Sequence, residues 1–200
     1  MILGDKPLIQ YQLEQLLKIR NSFSDIIVYC SEESIKEYLL PGVQFLKRPK
    51  FLDEDKANAT QIIQEFIKEV DSEWYIMDNV TAPFVCSETI LDMMDKALDE
   101  SGEYDSSFAA KGIRNFLWTY RCDNGKRELL NLNFDITNIP RTQDLEPLFV
   151  DKCGPYVFSK DLFLKTNRRI GFNPYIKELS FRESIDIDTR EDFEVAQKFI

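Results

Sequence analysis

The sequence predicts an α/β domain, with a mostly parallel sheet and helices on both of its faces. Three observations carry this. Short apolar runs of strand-forming residues alternate with stretches whose apolar positions recur at helical spacing. Several of these runs end in a short polar loop that a helix follows, the order of a βαβ unit. Two hundred residues, 44% of them apolar, suffice for a single domain with a sizeable core, so residues 1–200 are expected to form one unit.

In chain order, Pro7 suits a first helical turn, and Ile9, Leu13, Leu16 and Leu17 share one face of the helix that opens the chain. Ile26 to Cys30 reads as a strand, and Ser31, followed by Glu32 and Glu33, as the cap of a second helix. Gly42 ends that unit. Val43 to Leu46 reads as another strand, leading to Lys47-Arg48-Pro49, where Arg48 is a candidate anion contact or a solvated loop cation. Ile62, Ile63, Phe66, Ile67 and Val70 mark an amphipathic helix within Ala57 to Val70. The strand Trp74 to Met77 then runs into the polar loop Asp78-Asn79-Val80-Thr81-Ala82-Pro83-Phe84, and Ser87 is placed to cap the next helix. Ser106 to Ala110 carries no acidic side chain and fits a buried strand.

The middle of the chain changes character. Trp118 to Cys122 and Leu129 to Phe134 flank Asn124-Gly125, a dipeptide that supplies the positive φ angles of a tight hairpin turn. Phe116, Leu117, Trp118, Tyr120, Leu130 and Phe134 give residues 113–140 more apolar surface than a solvated loop carries, so this excursion is expected to contact a second subunit. Tyr156 to Phe158 is a further strand. The last is Ser184 to Asp188, in which Asp186 and Asp188 share one face while Ile185 and Ile187 point into a core. Thr189 reads as the cap of a closing helix, with Asp192 completing a capping box. Two carboxylates side by side at the C-terminal end of a strand suit a hard cation such as Mg²⁺ that also holds phosphate oxygens. The alternative is that Asp186 caps a turn and Asp188 pairs with a neighbouring lysine.

Composition removes several classes of function. A formal charge of −10 without a Lys/Arg run argues against binding to nucleic acid or to an anionic membrane. No apolar run approaches the ~20 residues that span a bilayer, and the start MILGDKPL has no signal-peptide pattern, so a cytoplasmic protein is expected. The chain has no histidine, and its four cysteines are scattered without a CxxC pair, which excludes a zinc site and a Cys/His nucleophile. Any proton transfer falls to Asp, Glu, Lys or bound water.

Five local strings, in this order, resemble the acylneuraminate cytidylyltransferases, also called CMP-sialic acid synthetases. They are Gly4-Asp5-Lys6-Pro7-Leu8-Ile9, similar to a GxKPLI opening of the first helix; Arg48-Pro49 with Asp55, Ala57 and Thr60; Thr81-Ala82-Pro83-Phe84, similar to a TSP(L/F) loop; Arg141-Thr142-Gln143-Asp144-Leu145, similar to R-x-Q-D-L; and Asp186-Ile187-Asp188-Thr189 with Glu191-Asp192. The last is the most specific, and the set covers nearly the whole chain. The resemblance implies a Rossmann-like three-layer nucleotide-diphospho-sugar transferase fold, and transfer of CMP from CTP to an acidic sugar with release of pyrophosphate. It implies Mg²⁺ as cofactor with Asp186 and Asp188 as its ligands, contact of Arg48, Asn79 and the Thr81 loop with nucleotide, and Arg141 and Gln143 facing the acidic sugar or phosphates. Phe172 would wall the sugar site or serve as an ordinary core residue, and residues 113–140 would form the dimerisation excursion of a homodimer.

The chain also departs from that pattern. The family opens with a strand and a basic glycine-containing loop of the kind PARxGSKxxxxKN, whereas only Met1 to Leu3 precede Gly4 here. The first strand and the main phosphate-binding loop are therefore expected to be missing from the sheet, and CTP to bind poorly. Asn79 stands where a glutamine is common, and Cys153-Gly154 where Asn-Gly precedes the late strand. Three readings follow: a nucleotidyltransferase, a fold relative acting as a binding or assembly subunit through its hairpin, or another sugar-nucleotide enzyme of similar fold.

Overall fold

A computed structural model describes residues 1–200, apart from the side chain of Cys153. The chain begins with β1 (Ile2–Leu3) paired antiparallel to β2 (Lys6–Pro7), then α1 (Leu8–Lys18), β3 (Ile27–Cys30), β4 (Gln44–Lys47), α2 (Ala59–Glu69), β5 (Trp74–Met77) and α3 (Ser87–Ala97). β6 (Ser106–Ile113) leads into the hairpin β7 (Trp118–Asp123) and β8 (Lys126–Asn131). β9 (Leu148–Ser159), α4 (Lys160–Thr166), β10 (Pro174–Glu178) and α5 (Arg190–Ala196) complete it.

β10, β6, β9 and β5 form one sheet in that order, and β3 pairs with β4 in another. β10 and β6 are parallel, β5 and β6 both oppose β9, and β3 and β4 are parallel. β5, β6 and β10 therefore run one way and β9 against them, so the expected α/β class with mostly parallel strands holds. Alternation of side chains across the sheet explains the three layers. Tyr75, Tyr156 and Phe158 face one side and pack on Ile63 and Ile67 of α2 and Phe163 of α4. Trp74, Ile76 and Val157 face the other and pack with Met93 and Ala97 of α3.

Several expected elements are altered, each for a local reason. The helix expected after Ser31 is a single stretch of 3₁₀ turn, Glu33–Tyr38, without a side-chain cap, because the Ser31 hydroxyl is bonded to Asp53 instead. Pro7 is the residue before α1 rather than inside its first turn, and Cys86 rather than Ser87 precedes α3. The closing strand is not a strand. Ser184 N–H and Ile185 N–H bond back to Ser180 and Arg182, a turn, and the segment 185–188 then lies beside the Thr81 loop without joining a ladder. α4 and β10 were not expected, and they supply the second helix of one layer and an edge of the sheet. The capping box of α5 is as expected: Thr189 Oγ1 accepts the Asp192 N–H at 3.2 Å, and Asp192 Oδ2 accepts the Thr189 N–H at 2.9 Å.

β3 and β5 do not pair with each other. Between them runs a slot of about 570 Å³, walled by apolar side chains that include Leu13, Leu16, Ile62, Phe66 and Met94. The two sheets are thus not joined at this position.

One glycine locks the loop before β10. The Asp105 carboxylate accepts the N–H groups of Phe172 and Asn173 at 2.7 and 3.1 Å, and a Cβ on Gly171 would lie 2.0 Å from Asp105 Oδ1. Gly171→Ala is expected to cost roughly 1–3 kcal/mol in urea denaturation, because the carboxylate cannot swing away without losing those bonds. Gly112→Ala, where the nearest atom is the end of the flexible Glu178 side chain, is the milder control.

Candidate functional site

The site is built where two loops meet. The loop after β5, residues 78–84, is anchored by Gln12 of α1, whose Nε2 donates to Ala82 O at 2.7 Å. The segment 185–188 is pinned by Ile185 and Ile187, which pack with Leu3, Leu8, Phe84 and Ala196. Ile187 N–H donates to Thr81 O at 2.8 Å, and the Thr81 hydroxyl is bonded to the Asp186 carboxylate. Thr81 and Asp186 are thereby brought together.

The two carboxylates differ in surroundings. Asp188 is exposed and contributes to a small pocket of about 290 Å³ with Met1, Ile187, Thr189, Arg190 and Phe193. Asp186 is 8% exposed, and its Oδ1 is enclosed with no hydrogen-bond partner. Burial pushes the Asp186 carboxyl above the usual carboxylate range; the Thr81 bond opposes this, and the negative charge of Asp188 adds to it. A buried carboxylate oxygen without a partner is costly unless something binds it. Among the described residues no group of three or more His, Cys, Asp or Glu gathers into a metal cage. Two hard oxygen donors are nevertheless what Mg²⁺ takes from protein when phosphates and water complete its shell, so the donor set fits that ion. Lys152, which nothing in the sequence singled out, is close enough for its charge to act on both Asp186 and Asp192.

The remaining residues divide by position. Asn79 follows β5, and Arg48 follows β4. Both line the mouth of the slot between β3 and β5. Arg48 Nη2 pairs with Asp53 at 2.7 Å, while its Nε is enclosed without a partner. Arg141 and Gln143 sit on an exposed turn ahead of β9, where Arg141 Nε and Nη2 grip both oxygens of Asp144 at 2.8 and 3.0 Å. The fork that would hold a sugar carboxylate is therefore already holding one. Phe172 is 73% exposed, with Arg168 stacked over it, and precedes β10 at the end of the sheet opposite Met77. Four steps along the chain lead from it to Ile176, which is level with Met77, so it stands up to about 13 Å from that level. The structure does not bring Phe172 together with the loop after β5.

Asp78 was missed as a titrating group. Its Oδ1 accepts the Asn79 N–H at 2.9 Å, but Oδ2 is enclosed without a partner. Burial pushes this carboxyl up to about 7, with the Asn79 N–H opposing. Sequence shows an acidic residue after a strand; only the packing of α1 over it shows that it is enclosed. A second missed cluster lies beside Met77. Arg169 stacks 3.8 Å from the centre of the Tyr156 ring and donates to its hydroxyl at 2.9 Å, and that hydroxyl donates to Asp151 at 2.7 Å.

A family model described as cytidylyltransferase matches residues 2–199. The N-acylneuraminate cytidylyltransferase of Streptococcus agalactiae serotype V is 24% identical, over 96% of this chain and 47% of its own length. That of Escherichia coli O18:K1:H7 is 26% identical, over 98% and 46%. The chain spans about half the length of these curated relatives. Among solved structures, 4-diphosphocytidyl-2C-methyl-D-erythritol synthase from Anaerococcus prevotii superposes with a TM-score of 0.67 at 14% identity, covering 100% of this chain and 91% of that one. CMP:2-keto-3-deoxy-manno-octonic acid synthetase, solved with CTP, gives 0.66 at 12% identity, covering 100% and 89%. These two likenesses establish the nucleotidyltransferase fold, of Rossmann-like three-layer type. With the family model matching almost from end to end, over the same loops that carry Thr81, Asp186 and Asp188, the chain belongs to the cytidylyltransferase family.

Proposed function

We propose that this chain transfers CMP from CTP to an acidic sugar and releases pyrophosphate. The observation that carries the reading is the enclosed, unpartnered Asp186 Oδ1 beside the exposed Asp188, with Ile187 between them bonded to the Thr81 loop. The activities of the related N-acylneuraminate cytidylyltransferases and of the CMP:2-keto-3-deoxy-manno-octonic acid synthetase solved with CTP support an acidic sugar as acceptor. In the reaction a sugar hydroxyl forms a bond to the α-phosphorus of CTP as the bond to pyrophosphate breaks. Catalysis is then mainly alignment and neutralisation of phosphate charge. Asp186 and Asp188 would hold Mg²⁺, which supplies that neutralisation. Lys152 adds a cation beside them, Arg48, Asn79 and Thr81 meet the nucleotide, and Arg141 with Gln143 meets the sugar acid.

Pyrophosphate release tests this directly. Release is expected from CTP with eight- or nine-carbon sugar acids, and equal release with neutral sugars would overturn the acceptor assignment. Arg141→Lys should raise KM for the sugar acid about tenfold while changing kcat less, because the substrate carboxylate must displace Asp144 from the guanidinium, and lysine keeps the charge but loses the two-pronged grip.

The hairpin is proposed as the seat of a homodimer. Trp118, Tyr120, Leu129, Leu132, Ile136 and Ile139 are exposed, more apolar surface than one solvated arm needs. Sedimentation should give a dimer, and Trp118→Lys with Leu129→Lys a monomer.

A further inference from the structure

Arg169 is a half-buried cation at the end of the sheet that carries the site. β9 is level with Met77 at Tyr156 and with Trp74 at Ser159, where α4 begins. Seven helical residues span about 10 Å, as do three steps of strand, so α4, packed through Phe163 on the same face as Tyr156 and Phe158, carries the chain back towards Met77. Asn167, with φ of 56°, ends the helix, and Arg169 follows. Its guanidinium stacks on the Tyr156 ring, donates through Nη2 to the Tyr156 hydroxyl, and donates through Nη1 to Met77 Sδ at 3.6 Å. The hydroxyl gives its own proton to Asp151, which leaves a lone pair turned to Arg169.

This guanidinium differs from the others near the site. Arg48 and Arg141 each hold a carboxylate, Asp53 and Asp144, whereas among the described residues Arg169 forms no ion pair, and Asp151 is reached only through the Tyr156 hydroxyl. A thioether is a weak acceptor, so the Nη1 edge makes a contact that an anion would outcompete. The ring and the hydroxyl fix the plane of the guanidinium in advance, which lowers the cost of ordering it around a carboxylate. The position agrees with this chemistry. Met77 directly precedes Asp78 and Asn79, and a Cβ on Gly154 would lie 3.4 Å from Asn79 N, so residues 151–156 run against the loop that reaches Thr81. The same stretch carries Lys152, whose charge acts on Asp186. Phosphates and their metal belong with that acidic pair and Lys152, and Arg169, at the end of β5, is left for a second anion.

We propose that Arg169 selects an acidic acceptor: its Nη1 edge takes the carboxylate of the sugar acid, and Tyr156 positions it through ring and hydroxyl. A carboxylate offers about four lone-pair sites, so Arg169 and Arg141 can hold it together, Arg169 without giving up a carboxylate and Arg141 by releasing Asp144. The inference rests on the proposed transfer reaction for the identity of the acid, and its first readout is binding, which needs no turnover.

The test is titration calorimetry of the full chain, with and without millimolar CMP. The probes are N-acetylneuraminic acid, 2-keto-3-deoxy-manno-octonic acid and the methyl ester of each, which removes the charge. The wild type should bind one of the acids about tenfold more tightly than its ester, the scale of one charge-assisted hydrogen bond. Arg169→Gln should abolish that preference by weakening the acid alone, and Arg169→Lys should keep part of it; retained affinity for the ester shows that the variant is folded. Tyr156→Phe keeps the stacked ring but loses the hydroxyl, and should lower the ratio of acid to ester affinity, which a purely structural change would leave alone. Failure of both acids to bind more tightly than their esters, or an undiminished preference in Arg169→Gln, would overturn the proposal. In pyrophosphate assays Arg169→Gln should raise KM for the sugar acid about tenfold and leave KM for CTP unchanged. Acid binding that depends on Arg169, without pyrophosphate release, would contradict the transfer reaction and uphold this inference. Release by the wild type with an unaltered KM in Arg169→Gln would do the reverse.

Discussion

Replacing Asp78 by asparagine is expected to stabilise the fold at pH 8 by on the order of 2–4 kcal/mol and to leave it nearly unchanged at pH 4. Part of the residue reaches the surface, yet Oδ2 is enclosed, and the carboxyl is pushed up to about 7 from 3.8 by burial. The unfolded chain releases this proton near its ordinary value and the folded chain only near 7. Between those limits the unfolded state binds fewer protons, so stability falls as pH rises through the window and levels off above it. Below the window both states are protonated and the penalty is absent. The upper figure is the full shift at about 1.36 kcal/mol per unit, and the lower allows for water reaching the carboxylate through the slot. Denaturant titrations at pH 4, 5.5, 7 and 8 compare the two proteins directly. The asparagine variant should lack the component of decline that the wild type shows over this range, and parallel profiles would contradict the assignment. The variant keeps an oxygen for the Asn79 N–H, so the loop is not otherwise disturbed.

Asp186→Asn and Asp188→Asn should each lower the transfer rate by about 10²–10³, the scale of removing one charge-stabilising group from a phosphoryl or acyl site. Their effects on stability should differ in kind from this loss. Asp188 is exposed, so its substitution should move stability by about 0.5 kcal/mol or less. Asp186 is buried with its charge disfavoured, and the neutral amide should be tolerated as well or better. A fall in rate without a fall in stability separates a role in the site from a role in folding. Stopped-time pyrophosphate assays beside denaturant titrations of the same preparations measure both.

The sequence was most legible where a pattern is local. β5 falls at Trp74–Met77 as read, the Asn124-Gly125 turn closes β7 on β8 with φ of 48° and 77°, and Thr189 caps α5 reciprocally with Asp192. Each depends on neighbours within a few residues. Reading failed where a distant partner decides. Ser31 has the chemistry of a helix cap, but Asp53 takes its hydroxyl. Residues 185–188 alternate like a strand, but the neighbour they lie along is the Thr81 loop, whose single bond to Ile187 builds no ladder. α4 has only seven residues, too few to show a helical period, although Ser159 caps it. The acidic pair was legible as a pair. That one member is enclosed and orphaned, that Lys152 stands nearby, and that Asp78 titrates near 7 all follow from packing between segments far apart in sequence. Phe172 was placed by resemblance, and the register of β10 on β6 sets it at the other end of the strands.

The central claim is that Thr81, Asp186 and Asp188 form one site for a divalent ion and nucleotide. Paramagnetic broadening of backbone amide signals by Mn²⁺, substituted for Mg²⁺ in the presence of millimolar CTP, tests it most directly. Broadening should be strongest at Thr81, Asp186, Ile187 and Asp188, and Asp188→Asn should weaken it at all four. Broadening centred on another part of the chain, or unchanged in the variant, would contradict the account.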